Sequence, residues 1–305
     1  PRLVAVCNRR NRIALDRAHH NPFKVLKTTF GKLAMSKSVI LAGCGNMGFA
    51  MLKGWIDGGV LEPGHVSVVE PNEALRVRAH GLGVRAVASV AEINPSHVPT
   101  LVVIAVKPQS MASVLPDYAG MAERGTAFLS VAAGIPMNAY LAVLGADTAI
   151  VRCMPNTPAA IGKGMLAYFN NANVSEALDL FVRELLACSG LVAKIEVEDL
   201  MDAVTAVSGS GPAYVFHFIE CLAQAGKDAG LPDDIADILA MQTVRGAGAL
   251  AAASDETPGK LRENVTSPNG TTQAGLNVLM GGGALQKLVS ATVEAARKRS
   301  VELGS

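Results

Sequence analysis

Aromatic residues are scarce, at 4% of a chain that is 50% hydrophobic, with a single tryptophan. Small apolar residues dominate instead, which suits tightly packed helices and α/β layers. Cysteine is also sparse. The five thiols (Cys7, Cys44, Cys153, Cys188, Cys221) are scattered, odd in number and never spaced C-x-x-C. That argues against an extracellular disulfide scaffold and points to reduced thiols in a cytoplasmic protein, most of them buried as small hydrophobes. No cluster of metal ligands accompanies them, and adjacent histidines occur only at His19-His20. No metal site is expected. Also missing is an apolar run of about 18 residues, the length a membrane helix needs. The best candidate, Ile235 to Ala253, is interrupted by Asp237, Gln242 and Arg245.

Acidic residues are nearly absent from the first 34 positions. Eight of the 27 Lys and Arg lie there, but only one of the 26 acids, Asp16. The overall charge of +1 hides a body with a net charge of −6. An acidic body lacks the electrostatic basis for binding nucleic acid. The basic arm has three readings: sequence upstream of a natural start at Met35, a disordered tail, or an Arg-rich targeting segment. The lack of serine before Ser36 weakens the last.

From Ser38 the pattern is that of an α/β fold. Val39–Ala42, Val66–Val69, Leu101–Ala105, Ala127–Val131 and Ala149–Val151 read as short, largely apolar strands, interrupted only by Ser67 and Ser130. Helical patterns over residues 46–57 and 73–80 alternate with them. Near-continuous runs mark strands buried on both faces, and the alternation implies a parallel, doubly wound sheet. After Asp199 the strand signal stops. Ala/Leu-rich helical patterns cover residues 200–208, 212–229, 232–253, 271–280 and 283–302, with Pro212, Pro232 and Pro258 at helix starts. The expected organisation is a basic extension at 1–35, a dinucleotide-binding α/β domain of Rossmann type at 36–198, and an all-α domain at 199–305. The second domain is too apolar for a lone bundle, so its helices are expected to bury surface in a dimer.

Gly43-Cys44-Gly45-Asn46-Met47-Gly48 reads G-x-G-x-x-G between a strand and a helix. That context gives the motif its meaning. The first glycine makes the tight turn, the second admits a pyrophosphate to the backbone, and the third lets helix and strand pack. The N–H groups of the helix start then face the anion. Glu70 ends the second strand, 22 residues after Gly48. An acid there accepts hydrogen bonds from the adenosine ribose, which favours NADH, and repels a 2′-phosphate. Arg76 and Arg78 lie near enough in sequence to offset it, so NADH and NADPH both stay open. Ala105-Val106-Lys107-Pro108 and Val131-Ala132-Ala133 follow two further strands and point at the same crevice.

Val265-Thr266-Ser267-Pro268-Asn269-Gly270-Thr271-Thr272 is a small-residue turn feeding a helix. Its converging N–H groups and hydroxyls suit a carboxylate, which a helix start favours by roughly 0.3–1 kcal/mol. A simpler alternative is that Thr271 or Thr272 merely caps the helix.

With these pieces in order, the chain resembles the pyrroline-5-carboxylate reductases. The matching segments are the glycine turn, A-V-K-P-Q at 105–109, S-V-A-A-G-I-P at 130–136, R-C-M-P-N-T-P-A at 152–159, D-A-V-T-A-V-S-G-S-G-P-A-Y at 202–214, and V-T-S-P-N-G-T-T at 265–272. They span nearly all of the chain except the basic arm, and the last two are highly specific. The resemblance implies reduction of pyrroline-5-carboxylate to proline by NADH or NADPH, the final step of proline biosynthesis. It also implies a homodimer, or an assembly of dimers, with the active site built across it. Cofactor contacts are implied at Ala42, Gly43, Cys44, Gly45, Asn46, Met47 and Gly48, at Ala105, Val106, Lys107 and Pro108, and at Val131, Ala132 and Ala133, with Asn264 on the nicotinamide side. Ser267, Gly270, Thr271 and Thr272 are implied to hold the cyclic imino acid. Where the family reads S-P-G-G-T-T, this chain has Asn269, the least costly replacement if the position needs φ > 0.

No His, Asp or Glu sits in the matching substrate motif, so catalysis is expected to rest on positioning, with Thr272 near the imine nitrogen. His217 is expected in the core or at an interface. A β-hydroxyacid dehydrogenase shares the two-domain plan but needs a helical lysine acid/base. Lys227 is the only lysine between Asp199 and Ala253, near a helix end. A non-catalytic dinucleotide-binding protein is the remaining alternative, favoured only by Asn269.

Overall fold

The computed structural model describes residues 37–304. The basic arm, Cys7, His19-His20 and Met35 lie outside them.

An eight-stranded sheet organises the first half. In chain order the elements are β1 (Val39–Ala42), α1 (Asn46–Asp57), β2 (Val66–Val69), α2 (Glu73–His80), β3 (Arg85–Val87), β4 (Leu101–Ile104), β5 (Ala127–Ser130), α3 (Met137–Leu144), β6 (Ile150–Met154), β7 (Gly164–Asn170), α4 (Glu176–Ala187) and β8 (Gly190–Lys194). The strand order is β3-β2-β1-β4-β5-β6-β7-β8. All neighbours are parallel except β6 and β7. The expected doubly wound sheet is present, mostly parallel, with three strands (β3, β7, β8) that the apolar runs did not announce.

Alternation within each strand sends residues to opposite faces. Val39, Leu41, Leu101, Val103 and Leu129 pack on one side with Met51, Leu52 and Trp55 of α1 and Phe181, Val182, Leu185 and Leu186 of α4. Ile40, Ala42, Val102, Ile104 and Phe128 pack on the other with Tyr118, Met137 and Tyr140. Each such buried side chain contributes about 1.5–3 kcal/mol. Trp55 is fully buried and satisfies its indole N–H on Leu185 O at 3.1 Å.

The second half is helical: α5 (Gly211–Asp228), α6 (Asp233–Ala253), α7 (Pro258–Asn264), α8 (Thr271–Met280) and α9 (Ala284–Gly304). Residues 37–204 and 300–304 form one compact unit and residues 205–299 another. In the first unit the end of α9 lies against the loop after β5: a Cβ on Gly304 would stand 2.2 Å from Gly134 O. Ser300 Oγ there donates to Asp202 Oδ1 at 2.6 Å.

Candidate functional site

Three parallel strands deliver their C-terminal ends side by side. Gly43 N–H donates to Val69 O at 2.8 Å, Ala105 N–H to Ala42 O at 2.7 Å, and Val131 N–H to Ile104 O at 3.0 Å. The turn after β1, the segment after β4 and the segment after β5 are thus brought together. Ligands of open α/β sheets bind at this edge.

The three glycines are needed for three different reasons. Gly43 has φ +90°, and a Cβ there would stand 2.8 Å from Ala105 O. A Cβ on Gly48 would meet Gly43 O at 2.3 Å, so only glycine lets α1 pack onto β1. A Cβ on Gly45 would meet nothing within 4 Å. It projects into the open space that a pyrophosphate backbone contact requires. The first bond of α1 runs from Phe49 N to Gly45 O at 2.9 Å. The N–H groups of Asn46, Met47 and Gly48 therefore have no acceptor inside the helix and lie at its positive end. The turn fits a dinucleotide pyrophosphate.

Glu70 is buried, at 7% exposure. Its Oε2 accepts from Cys44 N–H at 2.7 Å and its Oε1 from Asn72 N–H at 2.9 Å. Asn72 also caps α2, its side chain accepting from Leu75 N–H. Arg76 Nη1 donates to Glu70 O and Pro71 O, and Arg78 Nη2 to Cys44 O and Gly45 O. Cys44 has no exposure, and burial raises its thiol to about 11, so it is a packing residue rather than a nucleophile.

Lys107 is exposed beyond β4, while Ala105, Val106 and Pro108 are half-buried. After β5, Ala132 N–H donates to Ser130 Oγ at 3.2 Å, and Ser130 Oγ shares a 2.6 Å hydrogen bond with Tyr140 OH. Ser130 and Tyr140 thereby fix the Val131–Ala133 segment. Sequence reasoning missed Tyr140, whose link to Ser130 crosses from helix to strand with no motif to announce it.

In the helical unit, Ser267-Pro268-Asn269-Gly270 forms a turn closed by Gly270 N–H to Ser267 O at 3.0 Å. Asn269 has φ +58° and is the only positive-φ non-glycine among the described residues. Proline second and a positive φ third is the signature of a type II turn. Asn269 N–H donates to Gln273 Oε1 at 2.9 Å. The N-cap of α8 is Gly270, with no side-chain cap. Thr271 and Thr272 are therefore not capping residues; they begin the helix, both exposed. Their N–H groups belong to the unsatisfied first turn. Ser267 is exposed, and Asn264, at the end of α7, donates through Nδ2 to Glu256 Oε2 at 2.8 Å.

Two other residues depart from a catalytic role. His217 is exposed on α5, with Nδ1 3.0 Å from Glu220 Oε2, not in the core of the chain. Lys227 lies 3.0 Å from Asp237 Oδ1 and 4.0 Å from Asp233 Oδ2. Its pKa is raised, first by the hydrogen bond to Asp237, the reverse of what a lysine acid/base requires. The β-hydroxyacid dehydrogenase alternative loses its lysine.

Comparison with known proteins follows the same division. Residues 198–303 match the family model for pyrroline-5-carboxylate reductase dimerisation, and residues 37–134 match that for NADP oxidoreductase, coenzyme F420-dependent. A curated pyrroline-5-carboxylate reductase of Pseudomonas aeruginosa is 37% identical over 267 residues, covering 87% of this chain and 96% of the relative. The chain belongs to the pyrroline-5-carboxylate reductase family. The Escherichia coli K12 member is 34% identical over 265 residues, covering 87% of this chain and 97% of the relative. Among solved structures, the pyrroline-5-carboxylate reductase of Coxiella burnetii superposes with a TM-score of 0.83 at 30% identity, covering 88% of this chain and 99% of that one. The Plasmodium falciparum pyrroline carboxylate reductase, solved with NADP bound, gives 0.75 at 30% identity over 88% and 98%.

Proposed function

We propose that this member of the pyrroline-5-carboxylate reductase family reduces the C=N bond of pyrroline-5-carboxylate to give proline, an oxidoreductase reaction on a CH–NH group. A reduced nicotinamide dinucleotide supplies the hydride when bound. The turn Gly43–Gly48 holds the pyrophosphate, and Glu70 meets the adenosine ribose. Ala42, Ala105–Pro108 and Val131–Ala133 line the rest of the crevice; Asn264, in the helical unit, is taken as a cofactor contact on the family resemblance alone.

Ser267, Gly270, Thr271 and Thr272 hold the imino acid. The carboxylate sits on the N–H groups of the first turn of α8, and the Thr272 hydroxyl faces the imine nitrogen. Net reaction adds a hydride at ring C5 and leaves the nitrogen protonated. Thr272 orients that nitrogen or relays its proton. No side chain of ordinary acid/base pKa belongs to this set, so positioning supplies most of the rate. The observation that carries the proposal is the start of α8, which has no side-chain cap, follows a hydrogen-bonded turn and opens with the exposed Thr271 and Thr272, in a chain of this family.

The protein acts as a homodimer or an assembly of dimers. Val215, Phe216 and Phe218 of α5, and Ile238 and Leu239 of α6, are all exposed on the single chain. An apolar surface of that extent is what a partner helix layer covers. A cytoplasmic setting is proposed on the scattered, odd-numbered cysteines of the sequence. Among the described residues no helix is long and apolar enough to cross a membrane.

A spectrophotometric assay tests the reaction. Cofactor oxidation is expected with pyrroline-5-carboxylate, with proline formed in equal amount. Turnover of a 3-hydroxy acid in reverse, or of neither compound, would overturn it.

A further inference from the structure

We propose that Glu70 makes the adenosine end of the crevice select NADH over NADPH. The inference rests on the reductase reading, because it concerns the same cofactor.

Its basis is how the carboxylate is held. Glu70 is the first residue beyond β2, and its side chain turns inward against the glycine turn rather than out to solvent. Backbone N–H groups on two sides, Cys44 at 2.7 Å and Asn72 at 2.9 Å, take one lone pair on each oxygen. A carboxylate accepts about four hydrogen bonds in all. The remaining acceptor capacity suits ribose hydroxyls, which donate. A 2′-phosphate has no proton to offer at neutral pH and meets a fixed negative charge.

Two cations, Arg76 and Arg78, lie close by, and the hydrogen bonds they make run to backbone carbonyls rather than to the Glu70 carboxylate. Arg76 clasps the carbonyls of Glu70 and Pro71 at 2.9 and 2.6 Å. Arg78 holds the carbonyls of Cys44 and Gly45 at 2.9 and 3.2 Å, with its guanidinium 4.0 Å over the Phe49 ring. Arg78 Nε is covered by protein atoms and not open to a ligand phosphate. The donors to the Glu70 carboxylate are backbone amides, not guanidiniums. The arginines brace the two loops through their carbonyls, and the carboxylate lies between the glycine turn and Asn72 with acceptor capacity left over.

Calorimetric titration of the intact protein with NADH and with NADPH tests this without turnover. NADH is expected to bind at least about ten-fold more tightly. In Glu70→Gln, which keeps shape and removes charge, the preference is expected to shrink several-fold toward NADPH, with kcat/KM ratios following. Circular dichroism melts establish that the variant is folded, and the wild-type ratio decides independently of it. Equal or tighter NADPH binding by the wild type, with pyrroline-5-carboxylate still reduced, overturns the selection by Glu70 and leaves the reductase reading standing. A folded Glu70→Gln with an unchanged ratio does the same. Binding of neither cofactor, with no reduction, overturns both.

Discussion

Two adjacent residues, Thr271 and Thr272, carry most of the substrate chemistry proposed for this chain. Thr272→Val keeps the shape and removes the hydroxyl. It is expected to lower kcat/KM on the order of 10²-fold, with Thr272→Ser largely restored. Steady-state rates on the three proteins check this, and unchanged turnover in the valine variant removes Thr272 from the mechanism. Asn269 tolerates φ +58° because its short polar side chain suits the left-handed region. Asn269→Ala is expected to destabilise by about 1 kcal/mol, while Asn269→Gly does not. Urea unfolding of the two variants distinguishes them, and equal midpoints would show that the turn is not strained.

At the scale of elements, the packing of β1 against α1 sets the phosphate turn. Gly48→Ala places a methyl against Gly43 O, where a Cβ would stand 2.3 Å away. The variant is expected to lose about 1–3 kcal/mol of stability and its cofactor affinity. Thermal melting and dinucleotide titration measure the two losses, and wild-type values in both would disprove the steric account. The turn was legible in the sequence because its residues are contiguous and its flanking elements are strongly patterned. β1, β2, β4 and β5 were legible for the same reason, being apolar on both faces. β3 is a three-residue edge strand beginning with Arg85, and β8 is an edge strand whose Leu191 is exposed, so neither carries a buried run. β7 reverses direction beside β6, which periodicity does not encode. The Glu70 contacts stayed hidden because Cys44 lies 26 residues away and contributes only its backbone. Thr271 and Thr272 were legible as a motif, but their freedom from capping depended on Gly270 adopting the N-cap geometry.

For the molecule as a whole, buried weak acids set an alkaline limit. Burial raises Cys44 to about 11, Cys188 to about 12 and Tyr140 to about 12, from ordinary values of 9.0 for the thiols and 10.0 for the phenol. The folded state then holds protons that the unfolded state releases. Their contribution is fully present below pH 9.0 and is lost as pH rises through the folded values. Melting temperature is expected to fall steadily above pH 9.0, and a flat profile there would contradict it. The proposed dimer would bury the exposed apolar faces of α5 and α6. Ile238→Asp, at a site 63% exposed on the single chain, is expected to shift the protein from dimer to monomer by light scattering. An unchanged mass would move the interface elsewhere. The most direct test of the whole account is a crystal structure of the assembled protein with nicotinamide cofactor and proline. The account predicts the proline carboxylate on the Thr271 and Thr272 N–H groups, with ring C5 facing the nicotinamide. Proline bound away from the turn at residues 267–272 would contradict it.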